Sequence, residues 1–347
     1  MNTRRVTSQD VADLAGVSRT TVSLVLNKVE TAKISPSTRD KVFDAADSLG
    51  YVPDAAAQAL ASRKAKNIGL IFTRRLNYIS SDAFIPLILD GLIEVVHQND
   101  MRLLLDIVEP DRQAEAYIEF VRGKRIDGIL LSGPWFDKDA LQVLWNEGFP
   151  TVLIGKLPGS MFYSVDIDNY AAAKEAVAYL VKSGHKRIVC ITNASLSHPA
   201  ASDRFSGYKT ALEESGLSYN EELIRYGDFT VESGYQAMRS ILEAGMRFTG
   251  AFVASDTVAL GAKAALCEHG LRVPADVAII GFDDLPIAKH LDPPLSTVRV
   301  PAINLARKAC EILIHQLDGE HPSNRRLLLD TELIIRGSCG SNGKDKR

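Results

Sequence analysis

Two short apolar stripes at helical spacing begin the chain. Their members are Val11, Leu14 and Ala15, followed by Val22, Val25 and Leu26. Residues at i, i+3 and i+4 share one face of a helix, so the pattern predicts two helices with one buried face each. Thr7 and Ser18 precede these helices as N-caps, and Asp10 lies near the positive end of the first. Gly16 supplies the permissive backbone that the turn between them requires.

On the second predicted helix, Arg19, Thr20 and Leu24 are left on the outer face, close to its start. This is the layout of a helix-turn-helix, whose second helix reads base edges from its N-terminal end. An ordinary small helical hairpin is the alternative interpretation, because short amphipathic helices are common.

A third helix is predicted to begin after Ser35, an N-cap followed by Pro36 at the first helical position. Gly50 ends it. This helix supplies the third element that a minimal helix-turn-helix needs to close its core. We expect Tyr51 and Val52 to lie against that core.

Residues 53–62 are rich in alanine and have a high helix propensity. The segment is short, and isolated helices below about 12–15 residues are marginal in water. It should therefore order only when something holds it. An ordinary linker helix is the alternative. Arg63, Lys64 and Lys66 mark the edge of this N-terminal region.

From Asn67 onward, short apolar runs typical of buried strands alternate with longer amphipathic segments typical of helices. The predicted strands are residues 68–72, 102–107, 128–131, 151–154, 188–192, 223–226, 251–254, 277–281, 327–329 and 333–335. The predicted helices are residues 84–96, 115–121, 138–145, 171–181, 205–212, 234–242, 258–267 and 302–317. Such alternation predicts parallel sheets with helices on both faces. The strands are too many for one compact sheet, and we expect two similar halves that divide near Val165.

Ligands of open parallel sheets bind outside the carboxyl ends of the strands. The residues that follow the predicted strands include Thr73, Arg74, Arg75, Tyr78 and Phe84, then Ser132, Gly133, Pro134, Trp135 and Lys156, and then Thr192, Asn193, Asp203, Arg204, Ser255, Asp256, Phe282, Asp283 and Asp284. Charged side chains can bond the vicinal hydroxyls of a sugar, and rings can cover its apolar faces. Arg74, Arg75 and Lys156 would equally receive a phosphate or a carboxylate. A helix cap or a solvated loop charge is the alternative for each acid.

Composition narrows the class of protein. A length of 347 residues favours about two domains. No apolar run approaches the roughly 20 residues that span a bilayer, and the start lacks the apolar core of a signal peptide, so we expect a cytoplasmic protein. The four cysteines and seven histidines show neither paired nor metal-ligand spacing. We therefore expect no disulfide framework, no metal site and no cofactor.

Charge and motifs separate three functional classes. Residues 1–66 carry ten Lys and Arg against seven Asp and Glu, whereas the remainder carries thirty against thirty-six. A basic N-terminal region joined to an acidic remainder is typical of a nucleic-acid-binding protein. The excess of positive charge in residues 1–66 is too small to identify that class by itself. A transport binding protein would have a signal peptide and no helix-turn-helix. An α/β enzyme is not expected, because the sequence has no dinucleotide fingerprint, phosphate loop or nucleophile elbow.

The run from Val6 to Asn27 closely resembles the DNA-binding start of the lactose-repressor (LacI/GalR) family of bacterial transcriptional regulators. The resemblance continues through residues 35–39, 49–53, 281–284 and 293–297, so it covers nearly the whole chain. It implies an N-terminal three-helix domain (1–52), a hinge helix and linker (53–66) and a two-subdomain, periplasmic-binding-protein-like α/β body (67–340) before a polar tail (341–347). The implied subdomains are about 67–165 with 297–326, and 166–296 with 327–340.

The resemblance implies a repressor that binds double-stranded, palindromic operator DNA as a homodimer. The matched DNA contacts are Thr7, Ser18, Arg19, Thr20, Thr21, Ser23, Leu24, Asn27 and Tyr51, with Ala57 and Leu60 in the hinge. Leu60 falls where the family places a leucine that wedges between base pairs in the minor groove. Unstacking costs a few kcal/mol per step and is offset by a bent, better-contacted DNA.

The resemblance also implies a small-molecule effector, most often a sugar. The predicted effector contacts are Tyr78, Phe84, Trp135, Lys156, Asn193, Arg204, Ser255, Asp256, Phe282 and Asp283. Arg204 and Asp283 match the arginine and the acid that contact effector in the family, whereas Ser255 replaces a frequent asparagine. The tail after Ile335 lacks the leucine heptads that join some members into tetramers, so we expect a dimer. Whether the effector releases or strengthens DNA binding is left open.

Overall fold

The computed structural model describes residues 6–27, 32–52, 64–74, 79–133 and 138–340. The chain divides into two compact units. One comprises Met1–Lys66 with Lys124–Asp127, and the other comprises Asn67–Gly123 with Gly128–Arg347. The first, the N-terminal unit, holds the predicted helix-turn-helix. The second, called the body below, holds the predicted sheets.

Among its described residues the N-terminal unit has three helices: α1 (Ser8–Ala15), α2 (Arg19–Leu26) and α3 (Pro36–Leu49). Local signals fix where each begins. The Thr7 hydroxyl accepts a hydrogen bond from the Asp10 backbone N–H, and the Asp10 carboxylate accepts one from the Thr7 N–H, which makes a capping box. The hydroxyls of Ser18 and Ser35 cap α2 and α3 in the same way. Gly16 ends α1 with a φ of +66°, as the turn requires. The predicted caps are confirmed.

The core of this unit is small and aliphatic. It consists of Val11, Ala12, Val22, Val25, Val42, Ala45 and Ala46. The predicted inward position of Leu14 is wrong, because that side chain is 57% exposed and Ala12 lies buried beside Val11. Val11 and Ala12 belong to one buried cluster with residues of α3, and this packing selects the buried side of α1. Tyr51 packs on the core as predicted, whereas Val52 is 78% exposed, one residue beyond it.

The described residues of the body form two six-stranded sheets. Their strands are β1 (Asn67–Thr73), β2 (Arg102–Val108), β3 (Gly128–Ser132), β4 (Thr151–Ile154), β5 (Tyr163–Ile167), β6 (Ile188–Thr192), β7 (Ile224–Tyr226), β8 (Gly250–Val253), β9 (Ala278–Asp283), β10 (Ser296–Arg299), β11 (Arg326–Leu329) and β12 (Glu332–Ile334). The first sheet has the order β11-β5-β4-β3-β1-β2, and all its neighbours are parallel. The second has the order β12-β10-β9-β8-β6-β7, with only β12 antiparallel.

Helices connect these strands and cover the sheets. They are α4 (Phe84–Gln98), α5 (Gln113–Gly123), α6 (Lys138–Asn146), α7 (Asn169–Lys182), α8 (Pro199–Glu214), α9 (Val231–Glu243), α10 (Asp256–Glu268) and α11 (Ala302–Leu317). Single 3-10 turns lie at Ile79–Ser81, Pro110–Arg112, Glu221–Leu223, Ala288–His290 and Gly337–Cys339. A Cβ on Gly91 of α4 would collide with the Ile303 carbonyl of α11, so glycine permits the close packing of these two helices. Within the described ranges, no helix has the length and apolarity needed to cross a membrane.

Two strands, β5 and β10, were missed by the hydrophobic pattern. Each carries buried polar side chains, Ser164 and Asp166 in β5 and Ser296 and Thr297 in β10. These polar residues interrupt the apolar run that identifies a buried strand in a sequence. Their burial depends on partners elsewhere in the chain, which no local pattern contains.

The implied subdomain boundaries fall inside strands. Positions 165/166, 296/297 and 326/327 lie within β5, β10 and β11, respectively. The sheets place β5 and β11 side by side in the first half of the body, and β10 and β12 side by side in the second half. The chain therefore passes from one half to the other where these strands end, a few residues after each implied boundary.

Candidate functional site

The outer face of α2 presents polar side chains from its first turn. Arg19, Thr20 and Ser23 are exposed, and Leu24 is half-buried. The Arg19 guanidinium donates to the Ser8 hydroxyl, with 3.0 Å between Nε and Oγ, which ties the start of α2 to the start of α1. Helix-turn-helix proteins contact bases from this end of the second helix.

The other predicted DNA contacts have different surroundings. At helix ends, and exposed or half-buried, lie Thr7, Ser18, Thr21, Asn27 and Tyr51. The hydroxyls of Ser18 and Thr21 are 2.9 Å apart, so the cap and the first turn of α2 support each other. Ala57 and Leu60 lie outside the described residues, and their contacts with DNA stay a prediction.

Arg204 of α8 is the centre of a buried polar cluster in the body. Its Cζ lies 3.7 Å from the centroid of the Phe282 ring. Nε donates to Asn169 Oδ1 at 2.8 Å, and Nη1 donates to the Ala254 carbonyl oxygen at 2.7 Å. Nη1 also lies 3.8 Å from Asp283 Oδ1. The ends of several strands thus fix the guanidinium in one orientation.

Asp283 ends β9 in a constrained geometry. Its φ is +115°, a conformation that costs a non-glycine residue about 1–3 kcal/mol and is concentrated at functional sites. The Ser255 hydroxyl and the Asp256 backbone N–H donate to its carboxylate. Burial raises the pKa of Asp283 to about 7, although Arg204 opposes the rise. Near neutral pH this carboxyl can therefore either accept or donate a hydrogen bond.

Asp166 extends the same cluster toward the first half of the body. Its Oδ1 accepts hydrogen bonds from the Ile167 backbone N–H at 2.8 Å and from Asn169 Nδ2 at 3.2 Å. Burial raises the pKa of Asp166 to about 6, opposed by the Ile167 hydrogen bond and by the charges of Arg204 and Lys156. The bonded series Asp166–Asn169–Arg204 then leads to Asp283.

Asp256 lies buried at the start of α10. Its side chain is fully buried, Oδ1 accepts from the Thr297 hydroxyl at 2.7 Å, and Oδ2 accepts from the Leu285 backbone N–H at 2.8 Å. Burial raises its pKa well above the usual value for an aspartate. Both oxygens are thus engaged in holding the turn that follows β9. A direct contact between Asp256 and an effector stays a prediction.

Residues from both halves meet at a second cluster. Arg74, which follows β1, pairs with Asp82 of the same half. Its guanidinium carbon also lies 4.2 Å from the ring centroid of Phe229, which follows β7 in the second half. His198 packs its ring edge-on against Phe229, with 5.5 Å between centroids. Burial, reinforced by Arg74 and Arg204, lowers the pKa of His198 to about 3, so its imidazole is neutral.

The remaining predicted effector contacts are placed as follows. Lys156, which follows β4, pairs with Asp203 of α8, with 2.5 Å between Nζ and Oδ2. Phe84 is half-buried at the start of α4. Asn193 is buried, and its Oδ1 has no partner among the described residues. Tyr78 and Trp135 lie outside the described residues. The carboxyl ends of both sheets therefore face one cleft, and the described contacts meet there.

Several residues of this cleft were not predicted from the sequence. They are Asp82, Asp166, Asn169, His198 and Phe229. Asp166 lies in β5 and Asn169 shortly after it, and β5 is one of the two strands that the apolar pattern missed. Phe229 could have been predicted, because it follows the predicted strand at 223–226 and ligands bind outside the carboxyl ends of such strands. Asp82 precedes α4 and gives no comparable signal.

Comparison with protein families assigns both units. The family described as bacterial regulatory proteins, lacI family, matches residues 7–54. The periplasmic binding protein-like domain matches residues 177–339. These matches fall on the helix-turn-helix and on the part of the body that contains Arg204 and Asp283.

Whole-chain relatives agree with this assignment. The HTH-type transcriptional regulator CelR of Thermobifida fusca is 34% identical over 338 residues, covering 96% of this chain and 98% of CelR. The HTH-type transcriptional repressor CytR of Escherichia coli K12 is 36% identical over 335 residues, covering 96% of each chain.

Solved structures give the same result. A CelR–cellobiose complex matches with a TM-score of 0.74 and 33% identity, covering 96% of this chain and all of that one. The lac repressor dimer bound to operator and the anti-inducer ONPF matches with a TM-score of 0.84 and 28% identity, covering 97% and 99%. With the helix-turn-helix, the two-sheet body and relatives along its whole length, this chain belongs to the lacI family of bacterial transcriptional regulators, which bind DNA and are not enzymes.

Proposed function

We propose that this regulator is a repressor that binds a palindromic operator as a homodimer, and that a sugar or sugar derivative controls its affinity for that operator. The observation that carries the proposal is the buried Arg204–Asp283 pair over Phe282, in a cleft between two halves of the body. A ligand bonded to groups from both halves favours one relative orientation of them. Because its target is chromosomal DNA, we place the protein in the cytoplasm.

In this proposal the first turn of α2 selects bases in the major groove. Arg19 and Thr20 offer donors and an acceptor, and apolar Leu24 can favour a thymine methyl but cannot bond guanine. The polar side chains at helix ends, such as Thr7 and Ser18, would contact phosphates and so set the register. Two copies of α2 in a symmetric dimer would read half-sites about one turn of DNA apart, roughly 34 Å.

The charges in the cleft favour an uncharged, hydroxyl-rich effector over an anionic one. Each described cation of the cleft already has a carboxylate beside it. The pairs are Arg74 with Asp82, Lys156 with Asp203 and Arg204 with Asp283. A phosphate or carboxylate would have to displace one of these acids, whereas a sugar hydroxyl can bond to both members of a pair. The solved CelR structure, a complex with cellobiose, supports a saccharide as the first compound to test.

For the homodimer, the proposed contact surface lies at one edge of the first sheet. The edge strand β2 exposes Leu104 and Leu105, at 44% and 43%, and α4 beside it exposes Ile93 at 44%. Large exposed apolar groups on an edge strand invite pairing with another chain unless they are covered. A second copy of this chain would cover them.

A thermal-shift screen tests the effector proposal. The panel contains cellobiose and other neutral sugars, sugar phosphates and purines, because a ligand selective for the folded state raises the melting temperature. We expect a neutral sugar to give the largest shift and to change the Kd for operator in a titration. A panel in which only sugar phosphates or purines shift the melting temperature would contradict the proposed effector class.

A further inference from the structure

The ion pair between Lys156 and Asp203 joins the two halves of the body. Lys156 comes from the loop after β4 of the first sheet, and Asp203 from α8 of the second half. Their Nζ and Oδ2 atoms lie 2.5 Å apart, with the side chains 46% and 24% exposed. The pair therefore lies at the partly open edge of the cleft, where the Lys156 side chain reaches solvent and the Asp203 Oδ2 atom is buried. The two residues belong to different halves, so the ion pair breaks when the halves move apart.

A second contact crosses the cleft independently. The Arg74 guanidinium lies 4.2 Å from the Phe229 ring centroid, and these residues follow β1 and β7 of different sheets. In the first sheet, β3 separates β1 from β4, so the two crossings start about 10 Å apart. Contacts at two separated points resist both opening and twisting of the halves, whereas one contact would act as a pivot.

We infer that the Lys156–Asp203 ion pair is a latch that holds the two halves together across the cleft. The inference rests on the proposed function, since it assumes that the relative orientation of the halves carries the signal. The latch sets how often the cleft opens, and thus what fraction of the protein can admit or release an effector. In this role Lys156 acts through the orientation of the halves, as a positioning residue, and the role does not depend on its predicted contact with the effector.

The size of the effect follows from the exposure of the pair. Ion pairs that solvent can reach are weak, and this one, with the Lys156 side chain 46% exposed, changes the ratio of open to closed orientations by up to about fivefold, which corresponds to about 1 kcal/mol. Such a contribution is small for the stability of the fold. It is comparable to the couplings by which effectors act in allosteric proteins, so it is large enough to set an effector threshold.

His198 offers a direct probe of opening. A Cβ placed on Gly133 of the first half would lie 3.4 Å from His198 Nε2, so the first half covers this nitrogen. The side chain is 7% exposed, and its neutral imidazole is the form that attacks diethyl pyrocarbonate. The rate at which His198 is modified therefore reports the open fraction. Exposed His290 in the same molecule provides the reference rate.

The experiment measures modification of His198 relative to His290 by mass spectrometry, in the full chain at low salt without any effector or DNA. The variants are Lys156→Met, Asp203→Asn, the double variant and Lys156→Arg. Lys174→Met is the matched control, because Lys174 forms an ion pair of 2.7 Å with Glu214 inside the second half.

Each single neutral variant should raise the relative rate by up to about fivefold, and the double variant should raise it no further. Lys156→Arg and Lys174→Met should match the parent. A parental rate in Lys156→Met, or additive effects in the double variant, would overturn the latch. So would a thermal shift by inorganic phosphate, relative to chloride at equal ionic strength, that Lys156→Met abolishes, because Lys156 would then be an anion site. Failure here leaves the effector proposal standing, since no effector enters the measurement.

Discussion

The Nη1 atom of Arg204 lies 3.8 Å from Oδ1 of Asp283, and both side chains are buried at the cleft between the halves of the body. The guanidinium is also held by Asn169 and by the Ala254 carbonyl, so its position does not depend on Asp283 alone. Asp283, in turn, receives hydrogen bonds from Ser255 and Asp256. Each member is therefore preorganised, and a ligand hydroxyl between them would meet a donor and an acceptor without rearrangement.

The raised pKa of Asp283, about 7, predicts how stability depends on pH. Between the usual aspartate value near 4 and pH 7, the folded chain binds more protons at this site than the unfolded chain, so the contribution of Asp283 to stability falls as pH rises. Relative to Asp283→Asn, the wild type should lose up to about 1.4 kcal/mol per pH unit in this window.

Urea unfolding of both proteins at a series of pH values measures this difference. The comparison with the asparagine variant is needed because the lowered pKa of His198 acts in the opposite direction. If the free energy of unfolding of the wild type minus that of Asp283→Asn does not fall between pH 4 and 7, burial does not raise the pKa of Asp283.

Base choice by α2 is tested at Leu24. An arginine there can bond guanine bidentately, whereas leucine can only favour a thymine methyl. Leu24→Arg should therefore shift the preferred operator toward guanine at one position of each half-site. Selection from a randomised DNA library measures the preference, with Asp13→Arg on exposed α1 surface as a control for added charge. If Leu24→Arg selects the same operator sequence as the parent, residue 24 does not contact the bases.

The hinge prediction rests on the sequence alone. If Leu60 inserts between base pairs in the minor groove, Leu60→Ala should weaken specific binding and reduce DNA bending, because the smaller side chain no longer fills the gap between the unstacked base pairs. The melting temperature of the body should not change. Circular-permutation gel shifts measure the bend, and a variant that bends DNA as strongly as the parent would make residues 53–62 an ordinary linker.

Dimerisation through the β2 edge predicts a strong effect of charge at Leu105. Leu105→Glu would bury a carboxylate in the dimer and should give monomers at micromolar concentration in analytical ultracentrifugation. Leu328→Glu is the matched control, because Leu328 is 58% exposed on β11, at the opposite edge of the same sheet. If Leu328→Glu gives monomers and Leu105→Glu stays a dimer, the dimer forms through the β11 edge and the proposed β2 interface is wrong.

What could be predicted from the sequence depended on how local the cause was. The caps at Thr7 and Ser18, and the strands made of continuous apolar runs, are determined within a few residues and were predicted correctly. Leu14 was placed wrongly because the packing of α3, distant in sequence, selects the buried face of α1.

The same distinction applies to the site. Arg204 and Asp283 lie at or after the ends of predicted strands and were found, whereas Asp166 lies inside β5, a strand whose polar residues become buried only through distant partners. The inward orientation of Asp256 depends on Thr297 and Leu285, far along the chain, and no spacing rule contains that information.

The most direct test of the effector site is an operator titration of Arg204→Ala and Asp283→Ala, with and without the compound that gives the largest thermal shift. Asp283→Asn serves as a near-isosteric second variant, and Arg239→Ala, which removes a surface ion pair, is the control. The site variants should form dimers and bind operator with the parental Kd, but that Kd should no longer change with the compound. The control should respond like the parent. If Arg204→Ala or Asp283→Asn keeps the full ligand-induced change in operator affinity, the effector site lies elsewhere.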